Sequence, residues 1–496
     1  MFLLHPLICL LSFRISAEAA YASSNPSECK CQPSQPCWPS FNTWSRLNNT
    51  INGALFKVVP PDTSRYLRPL YKKQACEKLK SETGYRNWMH RAKQSPLNFE
   101  QTKGCRSNSL PPNGDETDET CTFPLHSPIY AINATNPTQV QAGIKFARKY
   151  NIRLVVGNTG HDYFSRSSGA YSLGIWTHYM RDVEFIESFR PKTCSKTKTH
   201  SAVTIGAGLI WGDLVRLADS RGKLVVSGAD PSVGCIGGFM QGGGHSPITG
   251  KYGLAVDQLL EIHIVTPSGQ YITANECENP EYFWALRGGG GGTFGIVTSA
   301  TIKTYPTQPI AMVRQRFDLT SSNTDIWWDW VAYLQYDIPR ISEAGIMGYS
   351  FILPDETRKA GWASILTMVN GTIEEIANIM QPVSTKLANS KYKEHITYHQ
   401  ENYSFPNYLT YFKTNYFPET PEDNKIMPSR LLDARALTED PEFFAATLKN
   451  MWSPFVSAYL SHILGGNGLA QYKNVDMALN PAWRRTYNHL SKLHDR

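Results

Sequence analysis

The sequence predicts an α+β protein built from two unlike units, and three observations carry that reading. From Ser127 onward short helix and strand signals alternate. At Pro267, Ser268 and Gly269 a turn signal joins two alternating segments, LLEIHIV and QYITA, which pair most simply as a hairpin. Beyond Pro306 glycine thins out, rings become frequent and longer alternating segments take over, as in GIMGYSFIL and GWASILTMV. With 496 residues, 41% of them hydrophobic, 12% aromatic and 18% charged, the chain can bury a large, ring-rich core and is unlike a disordered, collagenous or membrane-spanning sequence. The net charge of +7 is spread without a basic run, so nucleic acid is not an expected partner.

The elements follow in order. The apolar stretch FLLHPLICLLSF is too short to cross a bilayer and suits a signal-peptide core, followed by small residues that permit cleavage after Ala19, Ala20 or Ala22. Residues 1–22 are therefore expected to be a secretory signal, which directs the chain to the secretory pathway, secreted or lumenal. Nine cysteines remain after it, an odd number that implies a free thiol. Their clustering, without CxxC pairs or a histidine pair at ligand spacing, points to disulfides rather than a metal. Asn48, Asn133, Asn370 and Asn402 stand in Asn-x-Ser/Thr sequons. Residues 23–122, rich in Pro, Asn, Ser and Cys with turn signals at PPD and PPNGD, read as a Cys-rich N-terminal cap.

Residues 123–307 carry the first α+β rhythm. Asn136 caps a helix with Pro137 at its first position and Val140, Ile144 and Ala147 on one face; a strand spans 152–156. A second helix, 211–221, stops at Gly222, and the strand-like LVVS follows. Asn279 and Pro280 open a short helix before GGGGGTFG and the strand IVTSATIKTY. Residues 308–479 form the second unit, an antiparallel sheet with helices on one side. In it Trp327, Trp328, Trp330, Tyr333 and Tyr336 are explained by a helix packing its rings into a core, or else by a pocket for a ring-bearing substrate.

Three glycine-rich loops, 157–169, 228–244 and 288–295, sit at element ends. Glycine lets successive amides turn toward one point, where they bind phosphate oxygens. One such loop is explained by a tight turn; three within a short stretch suggest one extended anionic ligand. Gly290, Gly292 and Gly295 satisfy GxGxxG, yet they follow a helix and open a strand, the reverse of the dinucleotide-binding context. P-loop, HExxH and GxSxG patterns are absent.

The segments GNTGHDYFSRSSG, DPSVGCIGGFMQGGGHSPITGKYGLAVDQLLEIHIVTPSG and NPEYFWALRGGGGGTFGIVT resemble, in order and spacing, the flavin-binding domain of the vanillyl-alcohol oxidase superfamily. Within it the berberine-bridge-enzyme-like group, especially its secreted fungal members, is most similar, and CKCQPSQPCWPS fits the same group. The resemblance implies a two-subdomain PCMH-type FAD-binding domain plus a substrate domain. It implies FAD as cofactor, with the pyrophosphate on Gly157, Asn158, Thr159, Gly160 and His161, Asp162 also among the cofactor-binding residues, and the cradle continued by Ser167, Ser168 and Gly169. Val233, Gly234, Gly237, Gly238, Gln241, Gly243 and Gly244 would run under the ribityl chain and ring, and Ile296 and Val297 would meet the adenine end.

His161 stands where members of the group join the flavin's 8α carbon; spacing alone equally describes a histidine that only bonds across its loop. Asp230 replaces the cysteine of a second tether found in many relatives, so a single covalent bond is expected, with Cys235 a small buried or disulfide-bonded residue and His245 ordering its loop or facing the flavin edge. The activity implied is removal of a hydride from a small organic metabolite (alcohol, polyketide, alkaloid or sugar), with O2 as electron acceptor giving H2O2, in secondary-metabolite biosynthesis. The catalytic base varies in the group and none is assigned. Relatives continue beyond an NPAWR-like segment, so 480–496 is expected to be a shortened C-terminal return segment. That raises an alternative, a flavin-binding protein with little turnover. A third class, a carbohydrate-binding or structural secreted protein, is suggested only by the aromatics and sequons.

Overall fold

The computed structural model of the chain describes residues 29–58, 127–162, 164, 166–195, 198–353, 360–415, 427–453 and 456–494. The expected signal segment, Cys76, Cys105, Cys121 and the two Pro-rich turns lie outside the described residues.

Near the N-terminus, the Ser40 side chain caps α1 (Phe41–Thr50), which leads into the short strand β1 (Leu55–Lys57). Asn136 accepts a hydrogen bond from the Gln139 amide at 3.1 Å and Pro137 occupies the first turn, so α2 (Pro137–Lys149) begins where its cap dictates. Its apolar stripe and that of α1 share one core over a sheet ordered β1-β2-β4-β3, with β2 (Tyr130–Asn133), β3 (Leu154–Gly157) and β4 (Leu173–Trp176) parallel. This crosses the boundary expected at 122/123. Residues 41–57 belong to this subdomain, because Trp44 packs between Tyr130 and Phe146 at ring distances of 4.5 and 4.7 Å.

The second subdomain is an antiparallel sheet ordered β5-β6-β10-β8-β9, from β5 (Val183–Phe189), β6 (His200–Gly206), β8 (Leu259–Val265), β9 (Tyr271–Ala274) and β10 (Ile296–Lys303). The hairpin expected at Pro267 to Gly269 is present, with Val265 opposite Tyr271. The helix α3 (Trp211–Asp219) covers the sheet's core. The LVVS segment differs from expectation: only Lys223 and Leu224 form a strand (β7), paired with Tyr305 and Pro306 (β11), because this partner is itself two residues long. Val225 and Val226 are buried without a ladder. A disulfide, Cys194–Cys277, ties the loop after β5 to the loop after β9, and Cys31–Cys37 closes a small N-terminal loop.

The second unit is a seven-stranded antiparallel sheet, ordered β15-β12-β14-β13-β17-β18-β16. Its strands are β12 (Ile310–Leu319), β13 (Met347–Leu353), β14 (Gly361–Val369), β15 (Ile396–Phe405), β16 (Ser429–Asp433), β17 (Val456–Ile463) and β18 (Thr486–His494). Alternation along β12 divides its side chains: Ala311, Val313, Phe317 and Leu319 pack under helices 324–343, 373–388 and 441–451, whereas Ile310 and Met312 join the core of the second subdomain of the first unit. Trp327, Trp328 and Trp330 are buried in the helix-covered core, so these rings serve packing, while Tyr336 is exposed. The segment 480–496 also departs from expectation. Residues 486–494 do not return to the first unit; they form β18, hydrogen-bonded on both sides, because Leu490 and Asn488 continue the buried pattern of the neighbouring strands.

Candidate active site

The three glycine loops meet. A Cβ on Gly234 would stand 2.3 Å from Asn158 Nδ2, and one on Gly291 would stand 2.9 Å from the Cα of Gly238, so glycine is required where the loops touch. Gly290 donates its amide to the Gln241 carbonyl at 3.0 Å. Asn158 is held by its Nδ2 donating to the Ala207 carbonyl at 2.7 Å and by Trp176 Nε1 donating to its own carbonyl at 2.8 Å. Beside this junction Gly238 is exposed and a Cβ there would meet nothing within 4 Å, so the loops wall an open cradle. Ser167 Oγ and Gln241 Oε1 are buried polar atoms without a partner among the described residues. Both belong to the loops expected to hold FAD, and a buried polar group lacking a partner is costly unless a ligand supplies one. The residues present therefore fit a polar cofactor lying along these loops.

His161 sits at the mouth of the first loop, half-buried, and its Nε2 lies 2.7 Å from Ser232 Oγ. The Ser232 hydroxyl donates to Asp230 Oδ1 at 2.6 Å, and the Ser232 amide donates to the same oxygen at 2.7 Å. A serine hydroxyl has one proton and here gives it to the carboxylate, so Ser232 Oγ accepts from His161 Nε2–H. That tautomer leaves the lone pair on Nδ1. Asp230 is the anchor of this chain of bonds.

The other expected residues are spread along the same walls. Asp162 is engaged by Arg166, within its loop. Gly169 packs against Arg153 and Val155. The carbonyls of Gly243 and Gly244 accept from Val256 and Ala255, turning the second loop under the cradle. Ile296 and Val297 are buried at the start of β10. Cys235 is a fully buried free thiol, pushed well above its ordinary pKa by desolvation, and so is protonated and unreactive. Asn370 and Asn402 are exposed, whereas Asn48 and Asn133 are half-buried.

Sequence reasoning did not find what faces the second loop across the cleft. His245, directly after the Gly243–Gly244 turn, donates or accepts at Nδ1 with Tyr349 Oη at 3.0 Å. Tyr349 on β13 is directly opposite His462 on β17, and His462 is directly opposite His489 on β18. A Tyr-His-His row thus crosses three adjacent strands and meets His245 from the first unit. Burial, and for two of them a neighbouring imidazole, lowers all three histidines: His245 to about 3, His462 well below its ordinary value, and His489 to about 4. All three are neutral at neutral pH. In the sequence His462 stands in the alternating segment VSAYLSHIL, whereas TYNHLSKLH, which holds His489, shows no such alternation.

A family model described as an FAD binding domain matches residues 128–275. An uncharacterized FAD-linked oxidoreductase of Arthroderma benhamiae is 32% identical over 98% of the chain and 83% of its own length. A bifunctional decalin synthase, calF, of Penicillium decumbens is 32% identical over 97% of the chain and 81% of its own length. Among solved structures, the VAO-type flavoprotein MtVAO713 of Myceliophthora thermophila superposes with a TM-score of 0.82 at 27% identity, covering 94% of this chain and 83% of that one.

Proposed function

The chain belongs to the FAD-linked oxidoreductases of the vanillyl-alcohol oxidase superfamily and is an FAD-dependent oxidoreductase; from that premise we propose that it oxidises a small organic metabolite in secondary metabolism, with O2 as final acceptor and H2O2 as product, and that its FAD is joined to His161 through Nδ1. When bound, FAD supplies an acceptor for a hydride from a substrate C–H bond. The protein's part is to hold, orient and exclude. Asn158, Gly234, Gly237 and Gly238 form the walls that admit the cofactor's backbone. Ser167 and Gln241 offer it the two unpartnered polar atoms.

The observation that carries the tether is the Asp230–Ser232–His161 chain, because it leaves the nucleophilic lone pair on the nitrogen not engaged by Ser232. The position of calF among the relatives, a decalin synthase by name, supports a substrate that takes part in ring formation.

Acid precipitation tests the reading. Wild-type protein is expected to give a yellow pellet, and His161→Ala a colourless pellet with flavin in the supernatant or lost during purification. Colour retained in the His161→Ala pellet would place the tether elsewhere. Peroxide release across a panel of alcohols and polyketides checks the acceptor; substrate-dependent flavin bleaching without peroxide would make the enzyme a dehydrogenase.

A further inference from the structure

We propose that His245, His462 and His489 form a binding site for one borderline divalent d-block cation of the zinc type. One ring nitrogen of each histidine lies within 4.8 Å of one on each of the others. The ring centroids are 4.8, 5.7 and 5.9 Å apart. A tetrahedral zinc at about 2.0–2.1 Å from each nitrogen holds its donors roughly 3.4 Å apart, so closing the set takes a side-chain shift on the order of 1 Å.

Two further observations point to a ligand. His462 Nδ1 and His489 Nδ1 are buried and have no hydrogen-bond partner among the described residues. Native proteins rarely leave such atoms unsatisfied, and two on facing residues call for something between them. His245 differs in a way that completes the pattern. Its Nδ1 is paired with Tyr349 Oη, which leaves Nε2 for the cation; a metal-bound histidine usually gives its second nitrogen to such an outer partner.

The donor set selects the ion. It contains three imidazoles and no carboxylate, which suits zinc or its neighbours in the first transition row and disfavours calcium or magnesium. Three protein donors leave a fourth position for water or a substrate oxygen, as in catalytic zinc sites. The strand register fixes two donors opposite each other, and the glycine turn at Gly243–Gly244 brings the third from the other unit. The site rests on these imidazoles and stands whether or not the reading of the tether holds.

The test uses the purified, untagged, flavin-containing protein, stripped with chelator and dialysed. Zinc is titrated calorimetrically, and cobalt(II) is used as a spectroscopic probe. The expected result is one equivalent of zinc per chain and tetrahedral cobalt d–d bands to the red of the flavin absorption. His462→Gln and His489→Gln should each abolish both signals, with melting temperature and flavin content as controls for folding. Tyr349→Phe should keep one equivalent but weaken binding ten- to a hundredfold. Binding below stoichiometric, octahedral cobalt spectra, or a stoichiometry unchanged in folded histidine variants would overturn the proposal. That outcome would assign the two unpartnered nitrogens to substrate hydrogen bonding. The wild-type cobalt spectrum decides the matter even if a histidine variant fails to fold.

Discussion

Ser232 does one thing at the level of a single atom: it decides which nitrogen of His161 carries the proton. Ser232→Ala leaves Nε2 without its acceptor, so both tautomers become populated and the lone pair is no longer held on Nδ1. Loss of a charge-linked hydrogen bond of about 1.5–3 kcal/mol should slow formation of the proposed tether by roughly tenfold or more. The expected outcome is a folded protein whose acid-precipitated pellet retains only part of its flavin early after reconstitution, with Asp230→Asn behaving alike. Full retention at the earliest time would show that the tautomer is set elsewhere. The loop that carries His161 was legible in the sequence because it is a contiguous string of glycine and polar residues, and the expectation for His161 itself came from the family resemblance. Ser232 was not, since its role depends on a hydroxyl reaching across to another loop. His462 and His489 were invisible for a related reason: they are neighbours only through strand register, which no local spacing encodes.

At the scale of elements, the helix 324–343 was legible only by its rings between Trp327 and Tyr336, while its Asn323 cap is seen in the structure. Trp330 is fully buried, against Phe317, Tyr333 and Tyr392 at 5.1 to 5.4 Å. Trp330→Ala is expected to destabilise the protein by about 3–5 kcal/mol while leaving flavin content in the folded fraction unchanged. Chemical denaturation followed beside flavin absorbance checks this; loss of flavin from still-folded protein would mean that these rings do line the cofactor or substrate site. Elements of two to four residues were the least legible. β1 and β7 exist because a partner strand lies alongside, and residues such as Leu55 or Lys223 carry no periodicity that announces it.

At the scale of the whole molecule, the segment between β17 and β18 fastens the two units together. Met477 and Leu479 enter the core of the FAD-binding subdomain, and Asp476 accepts from Trp284 Nε1 at 2.8 Å. Arg484 makes two hydrogen bonds, 2.7 and 2.8 Å, to the Asp257 carboxylate, with both side chains buried. Arg484→Met removes the partner of a charge that has no access to water and should cost about 3–5 kcal/mol. The double variant Arg484→Met, Asp257→Asn should recover part of that loss, by thermal melting. If the single variant melts like wild type, the pair contributes nothing to docking of the units. The division into two α+β units was readable from composition, because glycine and aromatic residues change density near Pro306. Its edges were not, because strands such as β1 and β18 cross the sequence boundaries to reach sheets set by long-range pairing.

The placement of β18 also governs how the protein comes to be folded. The strand fills a slot between β17 and β16, which are made earlier in the chain. Until residues 486–494 arrive, both neighbours show unpaired edges, and the VSAYL stretch of β17 is apolar on alternate positions, at Val456, Ala458 and Leu460. Open edges of this kind recruit strands from other molecules. The hazard to this protein in production is therefore self-association of a late intermediate, and conditions that shorten its lifetime, such as slow synthesis at low temperature or a holding chaperone, should raise the yield of soluble enzyme more than any added stability of the finished fold.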